Sequence, residues 1–328
     1  MGGGGGRASG RAGAAGMARP CRAHRRRGGA WPGLALAAVA ALAAASLLGA
    51  QEPAGVSPQI VGGRFAYSAA PGDSLTLVGA RLGVTVAALA RDNGLAPTAR
   101  LRVGQSLRVD NRHIVPKTRE GGILINVPQR MLFVFTSGRV AAHYPVGLGR
   151  PTWRTPLGTF RVRSKRLNPV WHVPPSIQEE MRRAGQEVKT EVPPGPDNPL
   201  GEYWLGLDRF DCGLHGTNAP ASVYQFRTHG CVRVQPEAMQ ELYPEVAVGT
   251  TVEIIYELVL LARTPDGAIL LEVHPDVYRM GVDPRRVLEA AAAAAGLGPG
   301  VDWERAEQVI RERDGAVREV TGRPRPGS

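Results

Sequence analysis

The residues best equipped for chemistry gather between Asp211 and Val234. They are Cys212, His215, Thr228, His229, Cys231 and Arg233, set in short glycine-flanked segments between strand-like runs. A thiol attacks a carbonyl as its thiolate, so it needs a base to take the proton and a polar site to hold it. His215 can be that base for Cys231 across the intervening loop, because neighbours in space need not be neighbours in sequence. Gly230 allows close approach of backbone to a substrate, and adjacent N–H groups there suit a developing oxyanion. Arg233 offers a fixed cation to a substrate carboxylate. Two other chemistries fit the same residues. Cys212, His215, His229 and Cys231 form a Cys-x2-His…His-x-Cys set with a ligand count suited to zinc, and a buried cysteine near two histidines can be purely structural.

The elements that must position these groups are mostly strands. Residues 123–127 and 131–135 read as strands joined by a short proline-containing turn, and 141–146 as another ending in Gly147-Leu148-Gly149. Thr155-Pro156-Leu157-Gly158 turns into the strand 159–162. Tyr203-Trp204-Leu205-Gly206-Leu207 is a strand that delivers Cys212 and His215 to its end. A short helix from Pro236 to Leu242 and a strand from Thr251 to Tyr256 complete the set, which suggests a β-sandwich or barrel-like sheet. The proline-rich stretch 164–199 is expected to cover the site as a lid, with one helix around Ser176–Met181 capped by Ser176.

His215-Gly216-Thr217-Asn218 followed by Thr228-His229-Gly230-Cys231-Val232-Arg233 resembles the active-site signature of the L,D-transpeptidases, the YkuD-domain or ErfK/YbiS-like family. Thr228 stands where serine is commoner, and Val234 where methionine or leucine is. Thr-Pro-Leu-Gly-Thr-Phe at 155–160 and Asn-Pro-Val-Trp at 168–171 extend the resemblance over residues 121–256. It implies that Cys231 is the nucleophile and His215 its base, oriented by a carbonyl near Gly216. Thr228, His229, Gly230 and Arg233 would bind substrate. It also implies a thioester with a peptidoglycan stem-peptide donor, passed to an amine acceptor without cofactor or metal, and acylation by carbapenems. Transfer to a second stem gives 3→3 crosslinks, and transfer to a lipoprotein lysine gives a wall anchor. The alternatives are an amide hydrolase using the same cysteine, and a wall-binding adaptor without catalysis.

Ahead of this region, residues 65–110 follow a strand–helix–helix–strand grammar. Leu75, Val78 and Leu82 recur at helical spacing, and Asn93-Gly94 closes a second helix. Gly-Asp-Ser-Leu at 72–75 and Leu-x-Val-Gly-Gln-Ser-Leu-x-Val at 101–109 resemble a LysM module, which implies binding of peptidoglycan glycan. Residues 51–64 and 111–120 read as linkers. After 257, Leu258–Ala262 and Ala268–Val273 flank Asp266-Gly267 as a hairpin, and two helices start near Asp283-Pro284 and Asp302. Residues 257–320 thus form a small α+β tail, and 321–328 read as disordered. The fold expected is a mainly β catalytic domain between a small α/β module and this tail.

The formal net charge is +11, but residues 1–50 carry seven arginines and no acidic residue, so most of the excess sits there. No basic stripe interleaved with aromatics follows, which excludes a nucleic-acid interface. Arg25-Arg26-Arg27 precede an uncharged Leu/Ala-rich run ending near Ala50, which reads as an export signal, or as a membrane anchor if it is not cleaved. An exported, periplasmic or extracytoplasmic, protein follows. The three cysteines make no disulfide framework. Cys21 falls in the export segment, and a Cys212–Cys231 bridge would silence the nucleophile.

Overall fold

The computed structural model describes residues 56–57, 59–209 and 212–322. The export segment, Asp211 and the end of the tail beyond 322 lie outside the described residues.

The first elements are β1 (Ile60–Val61) and β2 (Arg64–Ser68), then α1 (Leu75–Leu82), α2 (Val86–Asp92) and β3 (Ser106–Asp110). Ser74 caps α1 by accepting from Leu77 N, Gly83 ends it in the left-handed region, and Thr85 caps α2 through Ala88 N. β2 and β3 pair antiparallel, and the helices bury Leu75, Val78 and Leu89 against Leu107 and Val109. The last strand begins only at Ser106, and Val103 is 70% exposed.

Described residues of the two stretches expected to be linkers pair with each other. β1 runs antiparallel to β4 (His113–Ile114), with Ile60 opposite Ile114. Gly62 makes this possible: at φ 78°, a Cβ there would stand 2.2 Å from Asn111 O. The burial of His113 and Ile114 is what turns a presumed spacer into core.

Eight further strands build the central sheet: β5 (Gly121–Asn126), β6 (Met131–Thr136), β7 (Arg139–Gly149), β8 (Gly158–Leu167), then β11 (Tyr203–Leu207), β12 (Gly213–His215), β14 (Val232–Val234) and β15 (Thr251–Ile255). Their order is β7-β14-β12-β11-β8-β15-β5-β6, and β6 pairs back to β7, so the sheet closes into a barrel. β13 (Phe226–Thr228) adds to β7 from outside the ring. Closure leaves no exposed edge in that ring. Ile123, Ile125, Leu148, Leu205, Leu214 and Val232 fill it, each with no exposed surface.

Between β8 and β11, β9 (Trp171–His172) and β10 (Glu191–Val192) form a short ladder flanking α3 (Pro175–Arg183). This helix starts a residue earlier than expected. Ser176 lies inside it and makes no cap bond, because Pro175 at the first turn already fixes the backbone there. None of its residues is buried. α4 (Pro236–Glu245) follows β14 and packs Met239 and Leu242 inward.

The tail is β16 (Val259–Arg263), β17 (Ile269–Val273), α5 (Pro284–Ala294), α6 (Trp303–Glu312) and β18 (Arg318–Glu319). Asp283 and Asp302 cap the two helices. Its Leu271, Leu288 and Ala292 belong to the same apolar cluster as the barrel, so tail and barrel share one core.

A buried polar cluster ties these parts together. Glu272 on β17 has no exposed surface and takes contacts of 2.8 Å from His113 Nδ1 and from His274 Nε2. It also accepts from Ile114 N at 2.7 Å and from Gln129 Nε2 at 3.0 Å. His113 Nε2 reaches Gly83 O at 2.9 Å, at the end of α1. Burial opposes ionisation of Glu272, but the His113 charge and the bonds from both histidines outweigh it and hold the carboxyl at about 2, against an ordinary 4.5.

Removing one partner from such a cluster leaves the others buried and unpaired, which costs about 3–5 kcal/mol. Glu272→Ala is therefore expected to lower the urea-denaturation free energy by that order at pH 7. A depressed folded-state pKa stabilises above 4.5 and loses its effect as pH falls toward about 2. The gap between wild type and variant should accordingly narrow below pH 4.5; a loss under 1 kcal/mol at pH 7 would refute the cluster's structural role.

Candidate active site

β12 and β14 lie side by side and parallel, with Leu214 opposite Val232 and His215 opposite Arg233. In that register the two strands start level, with Cys231 just before the start of β14, and His215 at the end of β12 lies beside Arg233. His215 is 4% exposed, and its Nδ1 lies 2.6 Å from Gly216 O. A carbonyl can only accept, so Nδ1 carries the hydrogen and Nε2 is left as the basic nitrogen. Trp204 stacks on the ring at 6.0 Å between centroids. Burial, then the Arg233 charge, lowers the His215 pKa to about 3 against the weaker pull of Gly216, so the imidazole is neutral at pH 7.

Arg233 donates to Ser222 Oγ at 2.6 Å and pairs with no carboxylate among the described residues. Burial lowers its pKa. A half-buried guanidinium without a carboxylate partner favours an anion beside it.

The loop from Thr228 to Cys231 is held from within. Thr228 Oγ1 donates to Cys231 O at 2.6 Å and accepts from Gly230 N at 3.2 Å. Gly230 stands at φ 113°, which a side chain rarely tolerates. Thr228, 3% exposed, braces the loop from within, and the Gly230 N–H is turned to its hydroxyl. The sequence could not tell a loop brace from a substrate contact, since either needs a hydroxyl at that place.

Cys212 and Cys231 are unbridged. Contact with the Cys231 side chain, then burial, pushes the Cys212 thiol up. Its Sγ also reaches Gly230 O at 3.9 Å. No group of three or more His, Cys, Asp or Glu side chains suited to a metal ion occurs among the described residues.

His229 does not join His215. Its Nε2 lies 2.9 Å from Glu180 Oε2 on α3 and 2.9 Å from Arg150 Nη2, while Trp153 meets its ring edge-on at 5.1 Å. Arg150 is also paired with Glu180 Oε1. The hydrogen bond from His229, then that from Arg150, holds the Glu180 carboxyl below its ordinary value.

Four of these contributors gave no signal in the sequence: Arg150, Trp153, Glu180 and Tyr278. Tyr278 comes from the tail and is 1% exposed. Its hydroxyl donates to Gly149 O at 2.8 Å and accepts from Thr155 N at 3.0 Å, which braces the turn carrying Arg150 and Trp153. On the other side of the site, Gly216, Thr217 and Asn218 line a cavity of about 580 Å³ together with Glu202 and Glu237.

The family model for the L,D-transpeptidase catalytic domain matches residues 120–254, and that for the LysM domain matches residues 67–110. The chain is 36% identical over 173 residues to the probable L,D-transpeptidase YbiS of Escherichia coli K12, covering 52% of this chain and 56% of that protein. The chain thus spans little more than half the length of that relative. It is 31% identical over 230 residues to the probable L,D-transpeptidase ErfK/SrfK of Salmonella typhimurium, covering 67% of this chain and 74% of that one. The solved catalytic domain of the E. faecium L,D-transpeptidase aligns at a TM-score of 0.33 and 23% identity, over 41% of this chain and 96% of that one. By its match to ErfK/SrfK and to the catalytic-domain model, this chain belongs to the L,D-transpeptidase family.

Proposed function

We propose that the protein is a peptidoglycan L,D-transpeptidase that works through a Cys231 thioester. The observation that carries this reading is the β12–β14 pairing, which sets a neutral, tautomer-fixed His215 beside Arg233 on the strand that Cys231 leads into. Cys231 gives its proton to His215 Nε2, and the thiolate attacks the carbonyl that joins the third and fourth residues of a stem peptide. The imidazolium then passes that proton to the departing amine, the C–N bond breaks, and a thioester remains. An amine acceptor attacks the thioester, His215 again takes a proton, and the thiol is restored.

The electrostatics favour this cycle. A neutral imidazole is ready to accept, and the charge it gains is met by the thiolate formed in the same step. Arg233 stabilises negative charge near Cys231 and disfavours a resting imidazolium. The raised Cys212 thiol stays protonated and can donate to the Cys231 sulfur. Arg233 and His229 are assigned to substrate, and Gly216 to orienting the base. The acceptor proposed is an amine, from a second stem or a wall-anchored lipoprotein. The LysM domain is assigned to holding the glycan, and a wall substrate places the enzyme outside the cytoplasm.

Cys231→Ala should abolish release of the terminal residue from a soluble tetrapeptide donor. Cys212→Ser, which keeps a donor at that place, should retain most of it. His215→Ala should lose roughly 10²–10⁴-fold, the usual worth of a general base. A Cys212→Ser protein as inactive as Cys231→Ala would sink the assignment of the nucleophile.

A carbapenem presents a strained carbonyl to the same thiolate. Intact-protein mass should rise by one drug equivalent on the wild type and stay unchanged on Cys231→Ala. An unmodified wild type after long incubation would favour an adaptor without catalysis.

A further inference from the structure

We infer that Arg150 and His229 form a carboxylate-binding subsite, occupied in this structure by Glu180 of the protein's own lid helix and vacated for a substrate carboxylate. The inference rests on the donor chemistry proposed above, and it deepens that reading by naming a second cation for the substrate and the group that competes for it.

Glu180 places one carboxylate oxygen on Arg150 Nη2 and the other 2.9 Å from His229 Nε2. This is the two-point arrangement a guanidinium and an imidazole offer to any carboxylate. The subsite is built, not incidental. Arg150 N donates to Thr228 O at 3.0 Å, which ties its backbone to the loop ending in Cys231. Trp153 packs against the His229 ring, and the Arg150 guanidinium lies 5.7 Å from the indole centroid. Tyr278 fixes the turn on both sides, at Gly149 O and Thr155 N. His229 is two residues before Cys231, so the subsite is mounted on the loop that carries the thiol.

The occupant, in contrast, is loosely mounted. α3 buries none of its residues. Its first turn is fastened by Gln178 Nε2 to Val173 O, and Glu180 is the residue that bonds it to the body of the site. All three groups are partly exposed, at 34% for Arg150, 39% for Glu180 and 28% for His229. An exposed ion pair is worth little, so a diffusing carboxylate with contacts of its own can displace it. Stem peptides carry two free carboxylates near the scissile bond. Arg233 takes one, and Arg150 with His229 takes the other.

The test uses three tetrapeptide donors: the diacid, and two analogues in which the terminal or the diamino-acid carboxylate is a carboxamide. Binding is read by calorimetry on the full Cys231→Ala protein, where no thioester forms. Arg150→Gln in that background should weaken the diacid about tenfold or more and leave one amide unaffected. Glu180→Gln should act in the opposite direction and tighten the diacid about two- to fivefold by removing the competitor. Equal weakening of all three donors by Arg150→Gln, a diacid that binds no tighter than its amides, or a Glu180→Gln protein that binds more weakly would each overturn the subsite. Thioester mass on the wild type is measured alongside. Its absence refutes the transpeptidase reading, and its presence with no Arg150 effect refutes the subsite alone.

Discussion

Two residue pairs of parallel register, Leu214 with Val232 and His215 with Arg233, fix the arrangement of the candidate site. Parallel strands cannot be joined by a tight turn, so the chain between them must leave the sheet and return. That excursion passes through the turn at Pro220–Ser222 and through β13, and it supplies Ser222 for Arg233 and Thr228 for the loop under Cys231. The spacing between the histidine and the cysteine is thus the length of a crossover. The closed barrel holds both strands rigid, since each is hydrogen-bonded on both sides.

The electrostatic character of the site follows from what that geometry buries. Arg233 is desolvated without a carboxylate, and the neighbouring imidazole is correspondingly reluctant to charge. An anion is what the pocket lacks among the described residues. Arg150 and His229 show the same preference a short distance away, where a helix of the protein's own has answered it. Two cationic points on segments adjoining Cys231 in sequence suit a substrate with two carboxylates better than one with none.

Much of this was legible in the sequence, and the reasons differ by element. His215, Cys231 and Arg233 stand out through the family signature they match, since types and spacing alone also fit zinc, and the tail helices through the Asp-Pro and Asp caps that mark their starts. What escaped shares one cause: it depends on contacts between segments far apart in the chain. Tyr278 reaches the 149–155 turn from the tail, and Glu180 reaches Arg150 from the lid. The stretches 51–64 and 111–120 look like spacers because their composition carries no periodic pattern. Only pairing with each other gives β1 and β4 a reason to order. The bonds that Thr228 makes inside its own loop could not be read either, because hydroxyl chemistry alone does not say which way the group faces.

The Glu272 cluster bears on how such a chain can be taken apart. The family models divide it at residues 110 and 120, as though two portable pieces were strung together. The bonds run across that seam: Gly83 O belongs to one piece, Gln129 to the other, His113 to the join, and Glu272 to neither. A fragment that begins at residue 120 and keeps the tail would carry Glu272 without His113 and Ile114, half its partners. The unit of recognition by sequence and the unit of folding are therefore different lengths of this chain, and a graft that respects only the first would inherit a flaw from the second.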